Sequence, residues 1–173
     1  MVPTTSVQIN LALQALTLLK NSQPIARYTV STALNGSGEK TGSGCTPRGF
    51  HTIRLKIGEG EPLNRVFVGR RPTDEIYSVE LAAGNPQRDW ILTRILWLTG
   101  REPGINRGGE CDTLRRFIYI HGTPDSEPMG VAKSHGCIRM HNRDLVELFD
   151  QVSVGTRVDI RESIGLVSVG KNR

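Results

Sequence analysis

The sequence predicts a mainly β, single-domain fold with one substantial helix near its C-terminal end. Apolar residues alternate with polar ones along several short stretches, the period of strands that bury one face. Clusters of Gly, Pro, Asn and Ser interrupt those stretches at close intervals, as turns do. Only the segment after Asn142 repeats its apolar residues at a spacing of about 3.6, the helical period. At 173 residues the chain suits one domain, large enough to bury a core without disulfides or a structural metal.

Val7, Ile9, Leu11 and Leu13 alternate with Gln8, Asn10, Ala12 and Gln14, which predicts an opening strand, although the Leu and Ala content would also permit a helix. Residues 16–20, the turn signal Asn21-Ser22-Gln23-Pro24 and residues 25–32 follow as a hairpin, so the chain begins as an antiparallel meander. Residues 35–44, NGSGEKTGSG, form a loop whose Lys40-Thr41 pair superficially resembles a phosphate-binding loop. Glu39 stands where a glycine should precede the lysine, and strand-like sequence follows, so nucleotide binding is rejected. Thr46-Pro47-Arg48-Gly49 makes a turn, after which Ile53, Leu55 and Ile57 alternate with Arg54 and Lys56 as a strand. Residues 65–68 and 90–98 continue the β pattern, whereas 69–89 and 99–112 are expected as loops.

Phe117-Ile118-Tyr119-Ile120 is a short apolar strand that delivers His121 and Gly122 at its exit, with a loop over 123–133. Asn142 is expected to cap the helix, whose stripe is Leu145, Phe149 and Val152 with Leu148 beside it, and Gly155 to stop it. Residues 157–160 read as the closing strand of one domain over 6–160. In the tail, 161–173, Ile164, Leu166 and Val167 could dock, but no role follows from them.

Lys and Arg number 22 against 17 Asp and Glu, a net charge of +5 that favours acidic partners. The charges are interspersed, and no basic block is interleaved with aromatics, so no nucleic-acid partner is expected. No apolar run approaches the ~20 residues of a membrane-spanning helix, so no membrane partner is expected either. The opening MVPTTSVQIN lacks the basic and apolar regions of a secretory signal. A cytoplasmic location follows if Met1 is the natural start, and a periplasmic one if a signal was removed.

The reactive chemistry is concentrated in residues 134–142, Ser-His-Gly-Cys-Ile-Arg-Met-His-Asn. A thiol attacks carbonyls as thiolate, and so needs a base or a positive dipole beside it. The imidazoles and the start of the predicted helix supply both for Cys137. Gly136 leaves room for a substrate carbonyl and lets successive N–H groups converge into an oxyanion hole. His121 could face Cys137 across a loop as general base.

The stretch His121-Gly122-Thr123 and Ser134-His135-Gly136-Cys137-Ile138-Arg139 resembles the active-site signature of L,D-transpeptidase (YkuD-type) catalytic domains of bacterial cell-wall metabolism. The resemblance extends to Val30-Ser31-Thr32, Thr46-Pro47-Arg48-Gly49-Phe50 and Ile95-Leu96-Trp97-Leu98. It implies a β-sandwich-like catalytic fold. It also implies a cysteine that attacks the carbonyl of the third stem residue, usually meso-diaminopimelate, and expels the terminal D-Ala of a muropeptide or peptidoglycan tetrapeptide. The thioester then passes to an amine, giving a cross-link, or to water, giving an L,D-carboxypeptidase. On this resemblance Cys137 matches the nucleophile and His121 the base; Gly136 with the Cys137 N–H matches the oxyanion region. Ser134, His135 and Arg139 match supporting positions. The bidentate fork of Arg139 also suits it to clamp a substrate carboxylate, against the plainer reading of a solvated charge at the helix entry. Thiol, imidazole and backbone N–H groups already supply nucleophile, base and oxyanion stabilisation, so no cofactor is expected. Because the opening residues lack a secretory signal, small soluble muropeptides are the expected substrates and water the favoured acceptor.

Plainer readings stand beside these. Cys45 and Cys111 are expected to be structural thiols. His135, Cys137 and His141 have spacing that zinc could use, but lack a fourth ligand. His51 reads as a strand residue and His141 has no role. Arg70-Arg71 and Arg115-Arg116 read as solvated surface before they read as attractors of stem-peptide carboxylates. A non-catalytic muropeptide-binding module would not need both Cys137 and His121, and a cysteine endopeptidase would use the same dyad.

Overall fold

A computed structural model of the chain describes residues 4–164. Among them are β1 (Thr5–Asn10), β2 (Ala15–Lys20), β3 (Gln23–Ser31), β4 (Gly49–Ile57), β5 (Arg65–Val68), β6 (Arg71–Ile76), β7 (Ile91–Gly100), β8 (Tyr119–Gly122), β9 (Ile138–Met140) and β10 (Arg157–Arg161). Two α-helices, α1 (Val79–Ala83) and α2 (Asn142–Gln151), interrupt them. Strand neighbours run β4-β10-β1-β2-β3-β9-β8-β7-β5-β6, and β4 also pairs with β7. Eight strands therefore close on themselves, which removes exposed edges, and β5–β6 hang from β7 as a hairpin. The fold is mainly β, as the alternation predicts, and the sandwich-like expectation takes the form of a closed sheet.

The core lies where strand faces meet α2. Leu145, Leu148 and Phe149 are buried against Leu96, Leu98 and Ile120, each worth about 2 kcal/mol when withdrawn from water. Lys56 on β4 donates to the Phe149 and Val152 carbonyls, both at 2.7 Å. It thereby satisfies carbonyls that the helix end leaves without partners.

The β2–β3 hairpin forms as expected, with Asn21 and Ser22 at φ 50° and 64°, the positive values of a tight hairpin turn. Elsewhere the structure corrects the sequence reading. The opening strand stops at Asn10, because Asn10 Oδ1 accepts the Leu13 N–H at 3.0 Å and turns the chain. Leu11 stays buried and Leu13 does not, so the alternation runs on through a turn. The expected loop 69–89 contains β6 and α1, whose largely exposed residues carry no apolar period. Strand β8 begins at Tyr119, since Phe117 is exposed at φ 56° and belongs to the preceding turn.

β9 was not anticipated; three residues are too few to show alternation. The helix N-cap is His141, while Asn142 is the first helical residue, buried and bonded sideways. The helix ends at Gln151, and Gly155, at φ 89°, turns the chain afterwards. Of the tail, Arg161 and Glu162 accept the Leu11 and Ala12 N–H groups, and the Ile164 carbonyl accepts from Asn10. Leu166 and Val167 lie outside the described residues.

Candidate active site

Strand β9 lies parallel to β8, and His121 stands in register with Arg139. A parallel neighbour requires a crossover between the two strands, and residues 123–137 supply it, ending at Cys137. The result is a cleft of about 110 Å³ lined by Cys137, His121, Ser134, His135 and Arg139, with Asp89, Arg116 and Phe117. Five of the six site residues picked from sequence thus meet in one cleft. The sixth, Gly136, precedes Cys137 outside the lining: it adopts φ 135°, and a Cβ there would crowd Ile118 and the Cys45 carbonyl.

His121 is buried, and its Nδ1 lies 2.7 Å from the Gly122 carbonyl. A carbonyl only accepts, so Nδ1 carries the proton and Nε2 is the basic nitrogen. Burial lowers the imidazole's pKa below its ordinary value. Gly122 is itself braced. A side chain there would collide with Asn142 Oδ1 and the Leu92 carbonyl. Asn142 Nδ2 donates to the Thr123 carbonyl at 2.9 Å, and its Oδ1 accepts from Thr93 at 2.6 Å. Thr93 sits at φ 74° where the β7–β8 register slips, a strained position for a β-branched residue. Asn142, expected as a helix cap, is therefore a buried strut behind the histidine.

Cys137 is half-buried. Its thiol donates to the Phe117 carbonyl at 3.3 Å, and the Tyr119 N–H donates to its sulfur at 3.3 Å. Burial pushes the thiol up to about 11, against the pull of the Tyr119 N–H and of the Arg139 and Arg116 charges. The expected helix dipole is replaced: β9 intervenes before α2, and the N–H that reaches sulfur is Tyr119's. Both shifts favour the neutral form, of the thiol and of the imidazole.

Ser134 donates to the Cys137 carbonyl, and Gly136 N–H donates to Ser134 Oγ at 3.3 Å. This N–H is thus engaged within the turn rather than left open for an oxyanion. Thr46, which composition alone would not single out, donates to the Gly136 carbonyl at 2.9 Å and accepts from Ala33. It ties the first half of the chain to the reactive turn.

At the mouth, Arg139 pairs with Asp89 at 3.0 Å and approaches Glu127 at 3.8 Å. Its guanidinium already faces two carboxylates, which corrects the expectation of a free clamp. His135 is exposed and lies 3.6 Å from Asp89. Asp89 left no signal in the sequence, since it sits in a polar segment with no period. Arg116, read as surface, is half-buried in the cleft and donates to the Gly38, Glu39 and Cys45 carbonyls at 3.1, 2.9 and 2.6 Å. Its position just before the His121 strand was the available clue.

The described residues contain no group of three His, Cys, Asp or Glu side chains arranged to hold a metal ion. Nor do they contain a helix long and apolar enough to cross a membrane.

The L,D-transpeptidase catalytic domain (YkuD) family model matches residues 4–160. The putative L,D-transpeptidase YkuD of Bacillus subtilis is 48% identical over 61 residues, 35% of this chain and 37% of that protein. The probable L,D-transpeptidase YbiS of Escherichia coli K12 is 49% identical over 126 residues, 65% of this chain and 39% of that one. The matched stretches therefore span well under half the length of these relatives. Among solved structures, Bd1075 of Bdellovibrio bacteriovorus aligns with TM-score 0.59 at 15% identity, over 95% of this chain and 50% of that one. L,D-transpeptidase 3 of Mycobacterium tuberculosis, solved with a faropenem-derived adduct, aligns with TM-score 0.56 at 17% identity, over 92% of this chain and 61% of that one. At those identities the structural likeness is one of fold, but the family match runs from the first described residue to the last core position of β10, and on it the chain belongs to the L,D-transpeptidase (YkuD) catalytic-domain family.

Proposed function

We propose that this protein is a cysteine acyl-transfer enzyme acting on peptidoglycan stem tetrapeptides, with Cys137 as nucleophile and His121 as general base. The observation that carries the reading is the meeting of a half-buried thiol and a buried imidazole of fixed tautomer in one cleft, in a chain of this family. Attack begins as the Cys137 proton leaves the Phe117 carbonyl and passes to His121 Nε2. Sulfur bonds to the carbonyl before the terminal D-Ala, and the oxyanion is received by the Cys137 N–H. Gly136 and Ser134 hold that peptide in place through their own hydrogen bonds. Collapse breaks the C–N bond, and His121 returns its proton to the leaving amine of D-Ala. Arg116 and Arg139 lower the cost of negative charge on sulfur. Arg139 also positions Asp89 and, through it, His135 at the entrance.

Water is the favoured acceptor. The cleft of about 110 Å³ admits water, whose share of liquid volume is about 30 Å³. His121 Nε2 takes the water's proton as oxygen attacks the thioester, and the proton ends on the departing sulfur. The test is incubation of the purified protein with free tetrapeptide, followed by mass analysis. Tripeptide plus D-Ala is the expected product; cross-linked dimers or D-amino-acid exchange would assign the thioester to an amine instead. An acyl adduct on Cys45 or Cys111 would remove Cys137 from its role.

A further inference from the structure

The catalytic cleft is small for a peptide enzyme. Its volume of about 110 Å³ falls below the ~300–1,000 Å³ of pockets that enclose a ligand. A larger groove of about 540 Å³ is lined by Arg54, Arg101, Arg107 and Arg115, with Asp112 as its one carboxylate.

Two features join groove to cleft. Side chains alternate along a strand, so Ile95, Trp97 and Thr99 share one face of β7. Ile95 and Trp97 pack in the cluster that includes Cys137, and Thr99 lines the groove. Ile95 to Thr99 spans roughly 13 Å of strand, the reach of about four extended residues. The second link is the segment 114–117: Leu114 and Arg115 line the groove, Arg116 and Phe117 the cleft.

The groove carries four arginines against one carboxylate, and its wall is rigid. Among the described residues, the arginines in ion pairs are Arg48, Arg65, Arg88, Arg139 and Arg161; none of the groove's four is among them. Asp112 is occupied, accepting the Gly108 and Arg115 N–H groups at 2.8 and 3.0 Å. The loop bearing Arg101 and Arg107 is pinned by buried Asn106. Its Nδ2 donates to the Arg48 and Phe50 carbonyls at 2.9 and 3.2 Å, and its Oδ1 accepts the Glu102 N–H at 3.0 Å. Buried His51 holds Thr113 at 3.0 Å at the loop's far end. The backbone that carries these arginines is thus fixed before a ligand arrives, which lowers the entropic cost of ordering the loop on binding.

We propose that this groove is a subsite for the carboxylates of an acidic peptide whose scissile end occupies the cleft. The proposal rests on the stem-peptide reading above. Planar guanidinium forks match carboxylates, and no lining residue is aromatic, so nucleobases would find no stacking platform.

The test uses the Cys137→Ala protein, which binds without turnover, and free stem tetrapeptide as the probe, titrated by calorimetry at low salt. Adding Arg54→Gln, Arg101→Gln and Arg107→Gln together is expected to weaken binding about ten-fold, with the difference shrinking at high salt. The same peptide with its carboxylates amidated should bind weakly, and equally to both proteins. Equal affinity of the acidic peptide for the two proteins, with unchanged unfolding temperatures, overturns the subsite; so does full affinity of the amidated peptide. If the triple variant does not fold, Arg101→Gln and Arg107→Gln singly make the same comparison, each at about two- to three-fold. Failure of the stem-peptide reading shows elsewhere, as no product from tetrapeptide and the unmodified protein, because the groove is read without turnover.

Discussion

His51 and His121 are both buried, and in both Nδ1 donates to a nearby glycine carbonyl, that of Gly49 at 2.9 Å and that of Gly122 at 2.7 Å. Burial lowers both imidazoles, His51 to about 4. They part at Nε2. In His51 it accepts from the Thr113 hydroxyl at 3.0 Å, which closes the ring's hydrogen bonding and ties β4 to the loop after β7. In His121 it has no protein partner among the described residues, and the ring lines the cleft with Cys137. Burial and a depressed pKa therefore do not distinguish a base from a strut; the acceptor nitrogen's access to a reacting atom does.

The comparison predicts opposite losses. His121→Ala should cut kcat/KM on the order of 10²- to 10⁴-fold while costing less in denaturant unfolding than His51→Ala, since its Nε2 gives up no hydrogen bond. If it stays active and His135→Ala does not, the base has been misassigned. His51→Ala should do the reverse, costing about 3 kcal/mol in urea unfolding through an emptied polar site, with kcat/KM of the folded protein within about three-fold. A rate loss matching that of His121→Ala would break the distinction.

Acid separates the two further. Unfolded His51 takes up a proton below its ordinary pKa of 6.5, whereas folded His51 stays neutral until about pH 4. The unfolded state thus binds more protons across that window, and stability should fall by roughly 3 kcal/mol as pH drops through it. Denaturant unfolding at several pH values reads this slope, and His51→Gln should flatten it. Activity should keep its plateau below pH 6.5, because His121 must become cationic to lose its role; an acid limb centred near pH 7 would contradict that.

Asn142→Ala sharpens the comparison on the catalytic side. Loss of the strut against Gly122 should lower kcat about ten-fold and move the acid limb toward pH 6.5 as water reaches the ring. A fall in stability with an unmoved limb would make Asn142 structural only. Thr113→Val is the smallest, about 1 kcal/mol for one buried hydrogen bond of His51, with kcat of the folded protein unchanged.

Local pattern made much of this legible. Alternation located β1 and β4, the turn signal at Asn21 and Ser22 placed the β2–β3 hairpin, and one helical stripe placed α2. The reactive set was legible for a similar reason: Ser134, His135, Gly136, Cys137 and Arg139 are contiguous, and His121 ends an apolar strand. These features depend on neighbours in sequence, where backbone geometry fixes what is near what.

What sequence did not contain was everything set by contacts between distant residues. Whether the thiol would face a helix end or the Tyr119 N–H depended on β9 slipping between β3 and β8. Asp89 reached Arg139 and His135, and Arg116 turned into the cleft, because the closed sheet brought separate loops to one mouth. The two histidines were unequally legible. The motif marked His121 as a base, whereas His51 reads as a strand residue, and only the closed sheet sets Thr113 against its ring, since a side chain's hydrogen bonds belong to its neighbours in space.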